Sequence, residues 1–418
     1  MTVDLTGDKV CIVVGAGHAG SGLAVQLRKE GWTGRIVLIS EESVLPYHRP
    51  PLSKAVLAGE KSLEAIALRP LSHYEASGVE LRLGQRVMAI DRHAQTVQLK
   101  GGESLRYDAL ALCTGSVART LPRAGELQGV YTLRTAEDAE LIRAAAASGK
   151  RAVIVGGGYI GLEVAAVLRT LGLEVTVLEA ASRLLARVAH PVVSDYFAAL
   201  HARHGVTILT GVAGVELLRE STVTGVREGS GRIHPADLVI VGIGVLPELA
   251  LAREAGLEVD NGIVVDAYAC TSDPHIFAAG DCTWHPSARY GRRLRLESVQ
   301  NALDQARVAA ANICGKQVLH DALPWFWSDQ YSIKLQSAGL LFDRESVVLR
   351  GDPQLADDKG FCVFHLRGEI MVAADCINRA KEFIACKRLI AERLRVNPLA
   401  LADQTSGVET FELREEVL

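Results

Sequence analysis

The chain has 418 residues, 49% hydrophobic and 22% charged, with no proline-, serine- or glutamine-rich tract. It therefore reads as an ordered globular protein, long enough for two or three domains. Its 45 Lys and Arg against 49 Asp and Glu leave a net charge of -4, which argues against a chain-wide attraction to nucleic acid and leaves any charged partner to a local patch.

The first ten residues carry Asp4 and Asp8 and no basic segment followed by an apolar one, unlike a secretory signal. An apolar run at 10–14 then reads as a strand buried on both faces. It leads into Gly15-Ala16-Gly17-His18-Ala19-Gly20, a helix over 21–30, a break at Gly31, and a second strand over 36–39 followed by Ser40-Glu41-Glu42. Strand, G-x-G-x-x-G, helix, strand and acid make a complete dinucleotide-binding unit. Gly15 permits the tight turn, Gly17 lets a pyrophosphate approach the backbone, Gly20 lets the helix pack closely, and Glu41 is placed to accept from a ribose hydroxyl. A later strand over 109–112 runs to Thr114-Gly115, and a break between domains is expected within 116–128.

The pattern returns at 151–179, with a strand over 152–155, Gly156-Gly157-Gly158-Tyr159-Ile160-Gly161, a helix through Arg169, a strand over 174–178, and Glu179. One glycine motif arises readily by chance. Two in full context imply two nucleotides meeting, economically a bound flavin dinucleotide and a diffusible nicotinamide one. Glu179 suits a free 2′-hydroxyl and repels a 2′-phosphate, so NADH is expected over NADPH, with Arg183 the nearby residue that a loop could bring to a phosphate.

The apolar run over 238–246 is broken by Gly242 and Gly244, and no run reaches the ~18 residues of a membrane span, so a cytoplasmic protein is expected. Further on, a short strand ends in Gly280-Asp281, where Gly280 permits close approach and Asp281 reaches a polyol hydroxyl. Arg289, Arg292, Arg293 and Arg295 lie together without an acid, as a docking patch or a solvated loop. A helix is expected over 298–311. The eight cysteines are scattered without a C-x-x-C pair, which suits buried free thiols and no metal site.

With these motifs the chain resembles the two-dinucleotide-fold flavoprotein disulfide reductase superfamily. Within it, Tyr47-His48-Arg49-Pro50-Pro51-Leu52-Ser53-Lys54, the run 156–163 and Pro324-Trp325-Phe326-Trp327-Ser328-Asp329-Gln330-Tyr331 are similar to the NADH-dependent ferredoxin reductases of cytochrome P450 and ring-hydroxylating dioxygenase systems. The resemblance spans about 10–395. It implies an α/β chain with two Rossmann-like dinucleotide-binding domains in the glutathione reductase-like architecture and a smaller α+β C-terminal domain. FAD binding would occupy 1–115 and 246–324, NADH binding 116–245, and the C-terminal domain 325–418.

Besides the first glycine motif, Thr114, Gly115 and Gly280, the resemblance implies FAD contacts at Ala19, Glu41, Arg49, Lys54, Val87, Arg134, Asp281, Val299 and Trp327. It implies NADH contacts at Gly156, Gly158, Tyr159, Ile160, Gly161, Glu179, Ile243 and Gly244. Glu248 departs from the family, which often carries Asn there.

Disulfide reductases of the superfamily hold two close cysteines beside the flavin, but no cysteine stands here between Cys11 and Cys113. Electrons must then leave the flavin without a thiol relay, and Cys282 is expected merely to pack. Lys54 and Glu163 resemble the family's pair near flavin N5, where a cation favours the reduced, anionic flavin; the alternative is a structural salt bridge. The helix N-terminus near Ser298 would face the flavin N1 and O2 edge and stabilise the same charge. Trp327 would lie over the dimethylbenzene side, with Trp325 and Phe326 as core aromatics.

The implied acceptor is an acidic 2Fe-2S ferredoxin, with Arg307 and Lys387 as further docking candidates and neither nucleic acid nor membrane as partner. A rubredoxin or monodehydroascorbate reductase of the same build remains open, as does a flavoprotein like apoptosis-inducing factor, against which the charge of -4 counts.

Overall fold

The computed structural model describes residues 7–122, 124–342, 344–355 and 359–413. They divide into two compact units, one of 7–49, 62–117 and 245–322, the other of 50–61, 118–244 and 323–413.

In the first unit the apolar run at 10–14 becomes the middle of a five-stranded parallel sheet. Strand Gly7–Val14 pairs with Gly34–Ile39 on one side and Ala109–Leu112 on the other, and Val79–Arg82 and Ile276–Ala278 form the edges. Cys11, Ile12 and Val13 are fully buried because both faces are covered. On one face, Leu23, Ala24 and Leu27 of helix His18–Glu30 share a core with Ala306, Val308 and Ala309 of helix Val299–Ile313. The two helices approach closely, since a Cβ on Gly22 would lie 3.2 Å from Leu303 and 3.6 Å from Ala306. On the other face, the antiparallel strands Val87–Asp91, Thr96–Leu99 and Ser104–Arg106 contribute Val87, Val97 and Leu99 to a second core.

The second unit repeats the design. Strand Arg151–Val155 lies between Glu174–Glu179 and Leu238–Val241, with Thr207–Thr210 and Val130–Tyr131 outermost, all parallel. In both sheets the strand feeding the glycine motif sits where the strand order reverses, so its carboxyl end opens into a crevice between outgoing chains. The same unit carries a five-stranded antiparallel sheet, ordered Trp325–Gln330, Ile333–Gly339, Ile370–Ile377, Phe361–Arg367, Ser346–Arg350. Helix Ala380–Glu392 backs it through Phe383, Cys386 and Leu389, packed with Cys362, Phe364 and Cys376. The fold is thus the expected mixed α/β one, with two parallel-sheet dinucleotide folds and an antiparallel C-terminal sheet.

The first glycine helix begins at His18, not at 21, because Gly17 is already its cap and the motif's last three residues form its first turn. Among the described residues no helix is long and apolar enough to cross a membrane, and no cluster of His, Cys, Asp and Glu could hold a metal ion.

Candidate functional site

In the first unit the glycines are placed by close approach. Gly15 has φ +97°, and a Cβ there would sit 2.2 Å from the Cys113 carbonyl oxygen; one on Gly20 would sit 1.8 Å from the Gly15 oxygen. Gly17 is different: a Cβ there would meet nothing within 4 Å. That open face lies at the head of a helix with no side-chain cap and no acid in its first turn, an end whose dipole suits an anion. Helix Ala136–Ser148, by contrast, is closed by a Thr135–Asp138 capping box, and Val299–Ile313 by Ser298. An open cradle over uncapped N–H groups fits a dinucleotide pyrophosphate.

Around it, the Gly280 N–H donates to Gln305 Oε1 at 2.7 Å, and a Cβ on Gly280 would lie 3.1 Å from that of Ala19. Asp281 accepts from Ser116 at 3.0 Å. Thr114 donates to the Glu248 carbonyl at 2.8 Å, and Gly115 takes φ +68°. The Glu248 carboxylate accepts from the Ala250 N–H at 3.0 Å and so closes its own turn. Gly15, Gly17, Ala19, Gly20, Thr114, Gly280 and Asp281 are therefore brought together, while Val299 opens the long helix. Glu41 is exposed and paired with Arg86 at 3.0 Å; it is Glu42 that turns toward Tyr47 (2.5 Å) and Arg49 (2.7 Å). Val87 is buried at the start of its strand.

The second unit holds the matching cradle. Gly156 has φ +114° with its Cβ direction 2.3 Å from the Gly242 oxygen, which brings the motif against the turn carrying Ile243 and Gly244. Gly158 has open space, and helix Tyr159–Thr170 that it caps has no side-chain cap and no acid in its first turn. Glu179 accepts from the Gly157 N–H at 2.6 Å through one oxygen and from the Ala181 N–H at 2.7 Å through the other. The carboxylate is thereby fixed, and each oxygen retains a second lone pair for a ribose hydroxyl. Arg183 is engaged in its own loop, donating to the Ala186 carbonyl at 2.9 Å, the Ala189 carbonyl at 3.0 Å and Ser194 at 2.6 Å.

The same helix carries Glu163 inward, 6% exposed. One of its oxygens accepts from Lys54 Nζ at 2.7 Å and Ser53 Oγ at 2.5 Å, and the other from Ser328 Oγ at 2.6 Å. Lys54 follows the short 3-10 turn Pro50–Ser53, whose two prolines pre-set the backbone. Burying an ion pair costs several kcal/mol of desolvation, so it persists only where further hydrogen bonds reach it. The serines supply them.

Strand Trp325–Gln330 alternates so that Ser328 and Gln330 are buried at 0% and 1% exposure, while Trp327 and Asp329 are half-buried. Gln330 Nε2 donates to Ser328 Oγ at 3.3 Å, and its Oε1 faces His201 Nε2 at 2.8 Å. Burial pushes His201 down to about 4, so the ring is neutral at pH 7. Ser53, Ser328, Gln330 and His201 were not singled out from sequence as site residues. The available signal was two polar side chains on the face of a strand opposite a tryptophan.

Trp327 lies 5.7 Å from Trp325, which is packed against Phe383 and under the Lys387 ammonium at 4.6 Å. Phe326 packs on Tyr159. The Arg134 N–H donates to Asp138 at 2.8 Å. Cys282 is fully buried beside the Leu112 and Ala279 carbonyls, and burial pushes its thiol up, which makes it inert. All eight cysteines are free.

The arginine segment forms part of an antiparallel pair, Thr283–Ser287 with Arg292–Leu294, and not an open loop. Arg293 donates to the Val265 and Trp284 carbonyls, both at 2.8 Å, and Arg295 is paired with Glu297. Of the four arginines, Arg292 is the exposed one. Arg307 is exposed on its helix, 3.0 Å from Asp304.

Residues 9–306 match the family model described as pyridine nucleotide-disulphide oxidoreductase, and 325–411 match the one described as reductase C-terminal. The chain is 45% identical over 401 residues to putidaredoxin reductase CamA of Pseudomonas putida, covering 94% of each chain. It is 44% identical over 397 residues to the 5,5'-dehydrodivanillate O-demethylase ferredoxin reductase subunit of Sphingobium sp., covering 94% of this chain and 96% of the other. Its fold matches the covalent putidaredoxin reductase-putidaredoxin complex with a TM-score of 0.91 at 44% identity, over 97% of this chain and 98% of that one.

Proposed function

The chain belongs to the pyridine nucleotide-disulphide oxidoreductase family, and from that premise we propose that it is an FAD-dependent NADH:ferredoxin oxidoreductase supplying a P450 or dioxygenase system. The observation that carries this reading is helix Tyr159–Thr170, which presents an uncapped nucleotide cradle at Gly158 and, five residues on, Glu163 holding the Lys54 ammonium. When bound, FAD accepts hydride from NADH and releases the two electrons one at a time to an iron-sulfur acceptor.

The chain's own residues have distinct tasks. Gly15, Gly17, Ala19 and Gly20 receive the FAD pyrophosphate, Thr114, Gly115, Gly280 and Asp281 its polyol, and Glu41, Arg49, Val87, Arg134, Val299 and Trp327 complete its contacts. Gly156, Gly158, Tyr159, Ile160 and Gly161, with Ile243 and Gly244, receive NADH. Lys54 supplies positive charge that favours the reduced flavin, and Glu163 places it. No redox thiol takes part. In this reading the FAD part is 1–115 with 246–324, the NADH part 116–245 and the C-terminal part 325–418. Anaerobic addition of NADH to the purified yellow protein tests the proposal: NADH should bleach the flavin, and an added 2Fe-2S ferredoxin should restore the colour. A protein without flavin, or one that NADH leaves yellow, overturns it.

Coenzyme choice follows from Glu179 and the engagement of Arg183. Glu179→Ala is expected to lower the NADH over NADPH ratio of kcat/KM by about tenfold or more, since it removes a hydroxyl acceptor and a charge that repels the 2′-phosphate. Steady-state rates with both coenzymes measure this, and an unchanged ratio refutes the role.

The acceptor is expected to be acidic, met by exposed Arg292 and Arg307 with Lys387; Arg293 is turned onto the Val265 and Trp284 carbonyls and Arg295 is paired with Glu297. Arg307→Glu should reduce kcat/KM for ferredoxin about tenfold while NADH-driven reduction of a small dye is unchanged, because a charge at a docking face steers the protein partner alone. Equal loss with both acceptors rejects Arg307 as a docking residue.

A further inference from the structure

Glu163 receives its hydrogen bonds asymmetrically. Lys54 and Ser53 share one oxygen, and Ser328 serves the other. Ser328 is itself the inner end of a buried chain that runs through Gln330 on the same strand to His201 on helix Pro191–Arg203. The direction of every bond in the chain is determined. Gln330 Oε1 only accepts, so His201 Nε2 carries the proton. Gln330 Nε2 only donates, so the Ser328 hydroxyl accepts from it and gives its single proton to the carboxylate. All the dipoles point at Glu163, an arrangement in which each bond polarises the next. All three side chains are at most 1% exposed, so water does not replace a missing link.

We infer that Ser328, Gln330 and His201 are positioning residues for the electron-transfer chemistry: they fix the rotation of the Glu163 carboxylate and so set where Lys54 presents its charge. This rests on the proposed role of the Lys54–Glu163 pair. With the chain intact, Ser328 occupies one carboxylate oxygen and leaves the other to the ammonium and Ser53. With Ser328 silenced, both oxygens compete for Lys54, and the ammonium is drawn back onto Glu163. A purely structural chain would hold the strand to the helix without influencing the flavin.

The test is the midpoint potential of the bound flavin in the holoenzyme, measured with thermal melting for wild type, Lys54→Met, Ser328→Ala, Ser328→Thr and Gln330→Met. Ser328→Ala and Gln330→Met should move the potential in the same direction as Lys54→Met, to more negative values and by less. They should also slow flavin reduction by NADH about threefold to tenfold, less than the full worth of a charge-assisted hydrogen bond because the change reaches the flavin only through Lys54. Ser328→Thr keeps the hydroxyl and should stay near wild type. If Gln330→Met does not fold, His201→Phe removes the outer donor at similar ring volume and is read in the same way.

A potential that stays at the wild-type value in Ser328→Ala and Gln330→Met while Lys54→Met moves it overturns the inference and leaves the parent reading standing. A potential unmoved by Lys54→Met overturns both. Lowered melting temperature without a change of potential assigns the chain to structure alone.

Discussion

Lys54→Met is expected to give a folded, yellow protein whose flavin NADH reduces about a hundredfold more slowly, the usual scale for removing one pre-placed charge from a reaction centre. The stability cost should be visible too. Removing one partner of a buried pair strands the other, at about 3–5 kcal/mol. Here Ser53 and Ser328 go on donating to Glu163, and Lys54 keeps 20% of its side chain exposed, so the lower end of that range is expected. Lys54→Arg restores a positive charge on a longer, planar group and should recover part of the rate. Anaerobic stopped-flow absorbance separates these outcomes, and a wild-type rate in Lys54→Met would refute the assigned role.

The second large effect distinguishes a glycine needed by the chain from one needed by its ligand. Gly17→Val should fold with wild-type circular dichroism and emerge colourless. Its φ of -72° is open to any residue and a Cβ there touches nothing within 4 Å, so neither the backbone nor the first side-chain carbon meets an obstacle in the protein itself. A pyrophosphate is the obstacle. Displacing it from one or two N–H groups loses charge-assisted hydrogen bonds of about 1.5–3 kcal/mol each, so FAD affinity should fall about a hundredfold or more. Gly20→Val also loses flavin but through misfolding, because its Cβ would overlap the Gly15 carbonyl. Gly158→Val is the counterpart in the second unit: flavin retained, and a KM for NADH raised about tenfold or more. Flavin at wild-type occupancy in Gly17→Val contradicts the assignment of the cradle.

These positions also show what could be read from the sequence. The two cradles are local events: an apolar strand, a glycine turn and a helix lie within about thirty residues, and their spacing carries their geometry. The pairing of Lys54 with Glu163 is not local. Nothing in composition or periodicity joins residues so far apart, and only resemblance to a family brought them together. Ser328 lies 165 positions from Glu163, and its value emerged only when the strand was seen to bury its polar face. Arg293 illustrates the opposite failure. Its charge was plain in the sequence, but its direction, inward to two carbonyls, depends on a hairpin turn that a run of arginines does not announce. The start of the first helix was misplaced because a glycine cap contributes no side-chain signal.

Helix Tyr159–Thr170 has 12 residues, and Gly158 and Glu163 are about 7.5 Å apart along its axis. It is one rigid strut, loaded at its tip by the coenzyme and at its waist by the ammonium. Any substitution that tilts it changes both loads at once. Evolution toward a different coenzyme therefore meets least resistance at the end of the neighbouring strand, where Glu179 reaches only the tip of the strut, through the Gly157 N–H, and leaves its waist untouched, so coenzyme preference can drift while the electron-transfer step is kept.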